Sequence, residues 1–480
     1  MATEPVPFLP VTYLAANAAA GPDRPALLDG DHAITFAQLE ERVHAAAAAL
    51  RERGVGDGDV VAVSLSNVPE YVVLELAIPL LGAIVMPMAL NLGEQERRSA
   101  LERSGARLLL EQPEAEEICA APYRGRLQPP PPDPHRIVEI ALTSGTTGLP
   151  KLASLHAGLK QATFEAFTSR LQVTREDRVL PISPLMQGIG GMCLYCLRLG
   201  AALVMLRSPR FSAEHTLAVA SRARATLLVG VPTNVIRMLQ SPALNGADLS
   251  AARCTAVAGA PMPPDVAREW EERTGSRVCI FYGSMDAGQL AVASPSDPAE
   301  KRWTTVGRVH DCAEVMITPE GEICMRGPTV QERYWGEERG PYSEDGWAHL
   351  GDLGHVDEAG FLHVTGRLKD IVIRGGSNIN PLEVEDALRR HPDIVDVCVV
   401  GRPDRDLGER LVAFLVARRP LGLSDLQSHL AEVGLAKYKW PEFVERVEEL
   451  PLSGPGKVNR RQVREWAAAL PAESPRPSST

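Results

Sequence analysis

Residues 142–151 read Leu142-Thr-Ser-Gly-Thr-Thr-Gly-Leu-Pro-Lys151 and follow an apolar run, Arg136–Leu142. The last nine residues of this stretch, 143–151, contain two glycines, four hydroxyl groups and one ammonium group. Backbone N–H groups freed by glycine, hydroxyl donors and a lysine are the groups that hold a polyphosphate. The spacing is not that of a Walker loop, because Pro150 precedes Lys151 and Leu152 follows it. The stretch therefore predicts a phosphate-binding loop after a strand.

A plain polar turn is the alternative interpretation of such a loop, so its surroundings matter. Thr35 and Gln38 have capping-box spacing before an alanine-rich run, which predicts a helix. Val60–Leu65 then predicts a strand, Glu70–Leu81 a helix and Ala83–Pro87 another strand, a βαβ rhythm. After the loop, apolar runs beside helix-like sequence recur at 178–181, 201–206, 225–231, 254–258 and 277–282. We therefore expect a layered α/β fold.

The character of the sequence changes after about Gly366. The predicted elements beyond it are a helix, a strand, a polar turn, a second strand and a second helix, at 383–390, 395–400, 401–409, 411–417 and 424–433. This order predicts a small α+β domain. Upstream, the proline-rich run Pro129–Pro134 fits neither a helix nor a central strand, so it predicts an extended connection between subdomains.

Length and charge exclude several classes of protein. The chain has 480 residues, which predicts more than one domain, and a net charge of −11 from 50 Lys and Arg against 61 Asp and Glu. That balance argues against a nucleic-acid partner. Eight cysteines are too sparse for a disulfide framework, and the start of the chain lacks a basic stretch before an apolar one. The most apolar stretch, Leu76–Leu90, is too short to span a membrane, so we expect a cytoplasmic protein.

With these motifs the chain resembles the adenylate-forming superfamily, which includes acyl-CoA synthetases, adenylation domains and luciferases. The phosphate loop is the first match, and further matches follow in order over most of the chain at 282–286, 321–327, 346–352, 366–370 and 454–460. The resemblance implies a large N-terminal ATP- and acid-binding α/β domain of several subdomains at 1–368. It also implies a mobile α+β C-terminal domain at 369–470, and we expect a disordered tail at 471–480.

The resemblance implies a reaction in two steps and the ATP-binding residues for it. A carboxylate attacks the α-phosphate of MgATP to give acyl-AMP and pyrophosphate, and a nucleophile, commonly a thiol, then displaces AMP. The implied ATP-binding residues are Thr143, Ser144, Gly145, Thr146, Thr147, Gly148, Lys151, Gly259, Ala260, Tyr282, Gly283, Asp352 and Arg367. Among them, Tyr282 is expected against the adenine, and Asp352 is expected to accept hydrogen bonds from both ribose hydroxyls.

Two lysines and a metal site complete the implied machinery. Lys457 resembles the lysine that bridges the substrate carboxylate and the α-phosphate, and Lys369 occupies the hinge position of the family. Asp286 and Thr146 are the implied ligands of Mg²⁺. Asp286 is a departure, since the family usually has glutamate there, and Met285 is another, since many relatives carry threonine.

The acid pocket is expected around 184–192, Pro-Leu-Met-Gln-Gly-Ile-Gly-Gly-Met. Neither the aromatic-His pair of many acyl-CoA ligases nor the aspartate of amino-acid-activating domains is present there. An α-amino acid is therefore a poor candidate, and an aryl, alicyclic or aliphatic acid is expected. Gln187 either reads a polar group of the acid or satisfies backbone. The predicted pocket residues are Met186, Gln187, Gly188, Gly259 and Met285.

The acceptor is left open between two thiols. The stretch 373–385, with Gly375 and Gly376 expected to line a pantetheine passage, resembles acyl-CoA synthetases. The stretch 435–441 also resembles stand-alone enzymes that load a carrier protein bearing phosphopantetheine. An AMP-forming acyl-CoA ligase, as a monomer or homodimer, is therefore the leading hypothesis. A carrier-loading or amide-forming enzyme and an inactive nucleotide-binding relative are the alternatives.

Overall fold

The structure, a computed structural model, describes residues 10–143, 150–186, 188–208, 211–284, 288–338, 340–453 and 457–470. The side chains of residues 10, 11, 453 and 457 are not part of that description. Contacts between residues divide the chain into two compact units. The first unit comprises 1–318, 324–350 and 356–363, and the second comprises 319–323, 351–355 and 364–480.

Helices and strands alternate through the first unit. The α-helices of the described residues are α1 (Pro10–Ala20), α2 (Phe36–Glu52), α3 (Pro69–Leu80), α4 (Glu94–Ser104), α5 (Gln112–Cys119), α6 (Ala157–Arg170), α7 (Gly188–Met192), α8 (Ala213–Ala223), α9 (Pro232–Gln240), α10 (Pro264–Thr274), α11 (Ala299–Thr304), α12 (Pro381–Arg389), α13 (Leu423–Glu432) and α14 (Arg460–Ala469). Short 3-10 helices cover Cys193–Leu199, Pro242–Gly246, Leu368–Asp370 and Lys437–Lys439.

The strands belong to several sheets. In chain order they are β1 (Pro25–Asp29), β2 (His32–Thr35), β3 (Val60–Val63), β4 (Ile84–Pro87), β5 (Leu108–Leu110), β6 (Ile137–Thr143), β7 (Lys151–His156), β8 (Arg178–Pro181), β9 (Ala202–Val204), β10 (Leu227–Gly230), β11 (Cys254–Ala258), β12 (Arg277–Ser284), β13 (Gly288–Val292), β14 (Arg308–Val309), β15 (Glu314–Ile317), β16 (Glu322–Arg326), β17 (Ala348–Val356), β18 (Leu362–Arg367), β19 (Val372–Arg374), β20 (Ser377–Ile379), β21 (Ile394–Asp404), β22 (Gly408–Ala417), β23 (Phe443–Arg446), β24 (Leu452–Ser453) and β25 (Lys457–Val458).

A nine-stranded sheet forms the centre of the first unit, in the order β14-β13-β12-β11-β10-β8-β9-β1-β2. Its middle strands are parallel, from β12 through β11, β10, β8 and β9 to β1, and antiparallel strands close both edges. Chain order reverses beside β8, because β9 lies on one side of it and β10 on the other. In open α/β sheets ligands bind at such a reversal, outside the carboxyl ends of the strands. The fold therefore marks the residues after β8, β11 and β12 as a binding edge.

A second sheet of the first unit carries the predicted phosphate loop. Its order is β5-β3-β4-β6-β7, and all neighbouring strands are parallel except β6 and β7. The predicted βαβ rhythm is confirmed as β3, α3 and β4. The capping box of α2 is confirmed too, since Gln38 N donates to Thr35 Oγ1 at 3.2 Å and Thr35 N donates to Gln38 Oε1 at 3.0 Å. Sequence patterns of local origin thus predict this part of the fold.

The second unit is built on β20-β19-β22-β21, with β23 beside β22. The predicted polar turn at 401–409 is wrong, because β21 continues to Asp404 and β22 begins at Gly408. The ladder uses backbone groups, so polar side chains do not end it. Asp404 closes the shorter turn: its Oδ1 accepts from the backbone N–H groups of Asp406 and Leu407 at 3.0 and 2.9 Å. Apolar side chains cover both faces of this sheet.

None of the helices within the described residues combines the length and the apolar composition that crossing a bilayer requires.

Three charged side chains meet in the core of the first unit. Lys160 on α6 forms an ion pair with Glu139 on β6, and its Nζ lies 3.6 Å from Glu75 Oε1 on α3. Glu75 and Lys160 border a cavity of about 20 Å³, which has room for a single water molecule. Burial raises the pKa of Glu75 to about 7, and the nearby Glu139 carboxylate adds to the rise while Lys160 opposes it. The folded protein therefore keeps a proton on Glu75 that the unfolded chain releases at lower pH.

We expect Glu75→Gln to flatten the dependence of stability on pH. The contribution of Glu75 is fully present below about pH 4.5 and is lost as pH rises through about 7, since its folded pKa is the higher one. Glutamine does not titrate, so the variant should melt higher than the wild type at pH 8, by on the order of 5 °C. Melting curves from pH 5 to 8 measure the effect. Glu102→Gln, at an exposed site on α4, is the control, and parallel curves for all three proteins would contradict the prediction.

Candidate active site

The predicted phosphate loop closes a hairpin. Thr143 ends β6, Lys151 begins β7, and the two residues are cross-strand partners. The remaining predicted loop residues lie outside the described residues: Ser144, Gly145, Thr146, Thr147 and Gly148.

Lys151 is held against an aromatic side chain. Its Nζ lies 3.2 Å from the hydroxyl oxygen of Tyr334 and 4.6 Å from the centre of the Tyr334 ring. The backbone fixes the position of Tyr334. The next residue, Trp335, donates its N–H to Leu152 O at 2.7 Å, and Leu152 follows Lys151 on β7. Sequence reasoning missed Tyr334, although the aromatic pair 334–335 in a polar stretch was an available signal. The ammonium group is therefore placed by tertiary contacts at the base of the loop.

Two of the predicted nucleotide-binding segments are neighbours at the binding edge. Ala258 at the end of β11 pairs with Phe281 of β12, so Gly259 and Tyr282 follow side by side. Gly259 has a φ of +88°, which a glycine adopts without strain. Tyr282 is half-buried. This juxtaposition offers backbone on one side and an aromatic ring on the other, with Ala260 and Gly283 next in the two segments.

The segment after β8 is rigid and largely buried. Asn67 clamps it, with Nδ2 donating to Ser183 O at 3.1 Å and Oδ1 accepting from Leu185 N at 2.7 Å. A Cβ at Gly190 would lie 2.0 Å from Pro184 O, so α7 packs directly on this segment. Met186 is buried on it. Sequence reasoning missed this role of Asn67.

Gly188 opens α7 with a φ of +46°. Three further predicted residues, Gln187 of the acid pocket, Met285 and the metal ligand Asp286, lie outside the described residues.

The thiols of Cys193 and Cys196 are fully buried, and burial raises the pKa of both. A buried thiol with a raised pKa is unreactive, so the two cysteines are structural.

In the second unit the structure brings Asp352 and Arg367 together. Arg367 Nε donates to Asp352 Oδ1 at 2.6 Å. Asp352 has only 6% of its surface exposed, whereas the Arg367 side chain is about half-exposed. A buried carboxylate can accept hydrogen bonds from hydroxyl groups, and the exposed part of the guanidinium beside it can meet a phosphate.

Lys369 and Asp370 are tied to the last helix of the second unit. Arg464 on α14 forms an ion pair with Asp370 and donates to Lys369 O at 3.3 Å. Arg460, at the start of the same helix, donates from Nη2 to both carboxylate oxygens of Glu385 at 2.6 Å. The segment at the predicted hinge and the helix that follows Lys457 are therefore joined by charged contacts.

Lys457 lies on β25, which pairs with β24 and leads directly into α14. The backbone after it is anchored at Asn459, whose N–H donates to Pro451 O at 2.7 Å and whose Oδ1 accepts from Gln462 N at 3.2 Å. The side chain of Lys457 is outside the description. A short hairpin before a fixed helix is a firm base for a lysine that has to reach a ligand.

Gly375 and Gly376 form the two-residue turn between β19 and β20. Their φ angles are +55° and +84°, and the flanking residues Arg374 and Ser377 pair across the strands. Two positive φ angles in a two-residue hairpin loop favour glycine at both positions. The geometry of the turn therefore explains both glycines by itself, and the pantetheine passage stays a prediction.

Comparisons with known proteins agree with these features. The family profile described as AMP-binding enzyme matches residues 14–335, and that of the AMP-binding enzyme C-terminal domain matches residues 383–457. A feruloyl-CoA synthase from Amycolatopsis is 33% identical, over 92% of this chain and 96% of its own length. A medium-chain fatty-acid–CoA ligase from Escherichia coli is 30% identical, over 94% of this chain and 89% of its own.

A solved structure shares the fold over nearly the whole chain. ATP-bound MatB from Rhodopseudomonas palustris superimposes with a TM-score of 0.86 at 26% identity, covering 96% of this chain and 99% of its own. The predicted α/β architecture, with a large N-terminal and a small C-terminal domain, is thereby confirmed. These similarities identify the chain as a member of the AMP-binding, adenylate-forming enzyme family.

Proposed function

We propose that the chain is an AMP-forming acid–thiol ligase that activates a carboxylic acid with ATP and transfers the acyl group to CoA. The observation that carries this function is similarity over more than nine-tenths of the chain to relatives named as CoA ligases of acids without an α-amino group. The acid pocket agrees, because no carboxylate in the segment 184–192 is available to pair with a substrate ammonium. The acid is aryl, alicyclic or aliphatic.

In the first half-reaction a carboxylate oxygen of the acid attacks the α-phosphorus of ATP, and pyrophosphate leaves as the bond to the bridging oxygen breaks. Thr143, Lys151 and the loop between them hold the β- and γ-phosphates. Lys151 offsets the charge that grows on the leaving group, and Tyr334 keeps it in place so that no reorganisation is needed. Tyr282 and the backbone of Gly259 and Ala260 flank the adenine.

Three residues of the second unit complete this half-reaction in our proposal. Asp352 accepts the ribose hydroxyls, and Arg367 approaches the ribose or a phosphate. Lys457 contacts the acid carboxylate and the α-phosphate together and offsets the repulsion between these two anions.

In the second half-reaction the CoA thiol attacks the acyl carbonyl carbon. The thiol proton is released, the C–S bond forms, and AMP leaves as the C–O bond breaks. Lys369 is the pivot between the two half-reactions, and the Gly375–Gly376 turn borders the pantetheine passage. Because ATP and CoA are cytoplasmic metabolites, we place the enzyme in the cytoplasm.

Mg²⁺ belongs to this proposal as the companion of ATP, where it would neutralise part of the charge of the phosphates. The residues proposed to hold it are Asp286 and Thr146. A carboxylate and a hydroxyl are oxygen donors of the type that this hard cation prefers.

Pyrophosphate exchange tests the function. Labelled pyrophosphate should enter ATP only when a suitable acid is present, and a panel of aryl, alicyclic and fatty acids identifies that acid. CoA is then added and the thioester is detected by mass. Holo carrier protein and simple amines are offered in parallel as alternative acceptors. ATP binding without acid-dependent exchange would instead favour an inactive nucleotide-binding relative.

We expect Asp352→Asn to raise the KM for ATP by about 10- to 100-fold while the KM for the acid changes little. Asparagine keeps the shape but loses the charge and one acceptor, and a hydrogen bond to a charged group contributes about 1.5–3 kcal/mol. Initial rates of acid-dependent exchange over a range of ATP concentrations measure the effect. Glu358→Gln, which removes an exposed carboxylate between β17 and β18, is the control. An unchanged KM for ATP would contradict the ribose assignment.

A further inference from the structure

Gln289 on β13 carries a buried amide that no described residue satisfies. Only 3% of its surface is exposed, and neither Nε2 nor Oε1 has a hydrogen-bond partner among the described residues. Its backbone is well placed, because Gln289 O accepts from Thr329 Oγ1 at 2.8 Å. A primary amide offers two donors and an acceptor, and proteins pair nearly all such groups when they are buried. A buried amide without a partner in the protein can form hydrogen bonds with a polar group of a ligand.

The register of the sheet places Gln289 at the binding edge, on the same face of the sheet as Phe281. Gln289 is the cross-strand partner of Gly283 at the binding edge. The pairing of β12 and β13 contains a bulge at this point, and Leu290 is the extra residue on β13. Alternation along β12 puts Gly283 on the same face as Phe281. Phe281 packs against the apolar cluster that contains Met186. Gln289 therefore shares its face of the sheet with Phe281, which packs against the same core cluster as Met186 of the predicted acid pocket.

Gly283 brings the backbones of β12 and β13 close together beside the amide. A Cβ there would lie 2.9 Å from Gln289 Cα and 2.6 Å from Gly288 O, so a side chain does not fit. The strand opposite Gln289 thus provides neither a covering side chain nor a polar partner. Ser284 and the segment that continues toward Asp286 follow directly.

We propose that the Gln289 amide hydrogen-bonds a polar group in the acyl part of the substrate, so that the preferred acid carries a hydroxyl, keto or amide group besides its carboxylate. This inference rests on the proposed ligase function and narrows its substrate class. A purely hydrocarbon acid would bury the amide without a partner, whereas an oxygenated acid supplies one. Sites built around a buried polar group discriminate strongly against analogues that lack its partner.

Matched pairs of acids test the inference in the pyrophosphate exchange assay. Each hydrocarbon acid of the panel is compared with its hydroxyl and keto derivatives at successive positions, using wild type and Gln289→Leu. Leucine has similar volume and forms no hydrogen bond. The wild type should favour at least one oxygenated acid by about 10- to 100-fold in kcat/KM, and Gln289→Leu should lower that ratio at least about tenfold. Gln112→Leu, on the distant helix α5, should leave the ratio unchanged.

The melting temperature without ligand gives an independent measurement. Leucine removes an unpaired buried amide, so Gln289→Leu should melt at the same temperature as the wild type or on the order of 2 °C higher. A clearly lower melting temperature would mean that the amide is bonded within the protein and would overturn the inference. An unchanged substrate ratio, or a wild type that favours hydrocarbon acids, would overturn it while leaving the ligase function intact. If none of the acids supported exchange, the ligase function itself would be refuted, and the inference with it.

Discussion

Lys457→Ala should lower the rate of acid-dependent pyrophosphate exchange by at least about 10²- to 10³-fold, while thioester formation from supplied acyl-AMP and CoA survives. The acid carboxylate and the α-phosphate repel each other as they approach, and a single cation between them offsets that repulsion. In the second half-reaction the acyl group already sits on AMP, so this repulsion no longer arises. The variant therefore separates the two half-reactions.

Arg461→Ala is the matched control for Lys457→Ala. Arg461 is a basic residue four positions further on, exposed on the first turn of α14, and its nearest acidic partner is the exposed Glu465 at 3.9 Å. Losing it should leave both half-reactions at wild-type rates. If Lys457→Ala lowered both half-reactions equally, the residue would act on the fold or on CoA, and its assignment to adenylation would be wrong.

Glu385→Ala should destabilise the second unit by about 3–5 kcal/mol. Glu385 is 99% buried and accepts two hydrogen bonds from Arg460 at 2.6 Å and one from Val399 N at 2.7 Å. Burial raises the pKa of Glu385, and the Arg460 guanidinium opposes the rise. Removing Glu385 leaves the guanidinium of Arg460, whose side chain is only 20% exposed, without its buried partner, which accounts for the large effect.

Hydrogen exchange of the whole chain measures this loss where it occurs. Amides of β21 and β22 should exchange faster in Glu385→Ala, because α12 and α14 pack on that sheet, while those of β10 and β11 in the first unit should not change. Glu383→Ala is the control, on the same helix and two residues away. Glu383 is largely exposed and pairs with Lys439, and pairs of this kind contribute little. Equal exchange in the two variants would refute a special role for the buried pair.

Short-range patterns predicted much of the fold. The capping box before α2, the apolar run that became β11 and the alternation through β3, α3 and β4 all depend on residues within one or two turns of each other. The polar stretch 401–409 shows the limit of such patterns. Its backbone pairs in a long hairpin although its side chains are typical of a turn, because ladder hydrogen bonds do not depend on side-chain polarity.

The sequence by itself determined the order of the motifs and the α/β class, and it predicted the phosphate loop, because each depends on residues that are close together in the chain. Only the tertiary structure decided which side chains support them. Asn67 clamps Ser183 from 116 residues away, Tyr334 holds Lys151 from 183 away, and Arg460 meets Glu385 from 75 away. Gln289 belongs to the same group, because its burial and its unpaired amide follow from strand register rather than from its neighbours in sequence. Such contacts leave no periodic pattern in the sequence, because their residues come together only when the sheets and helices have packed.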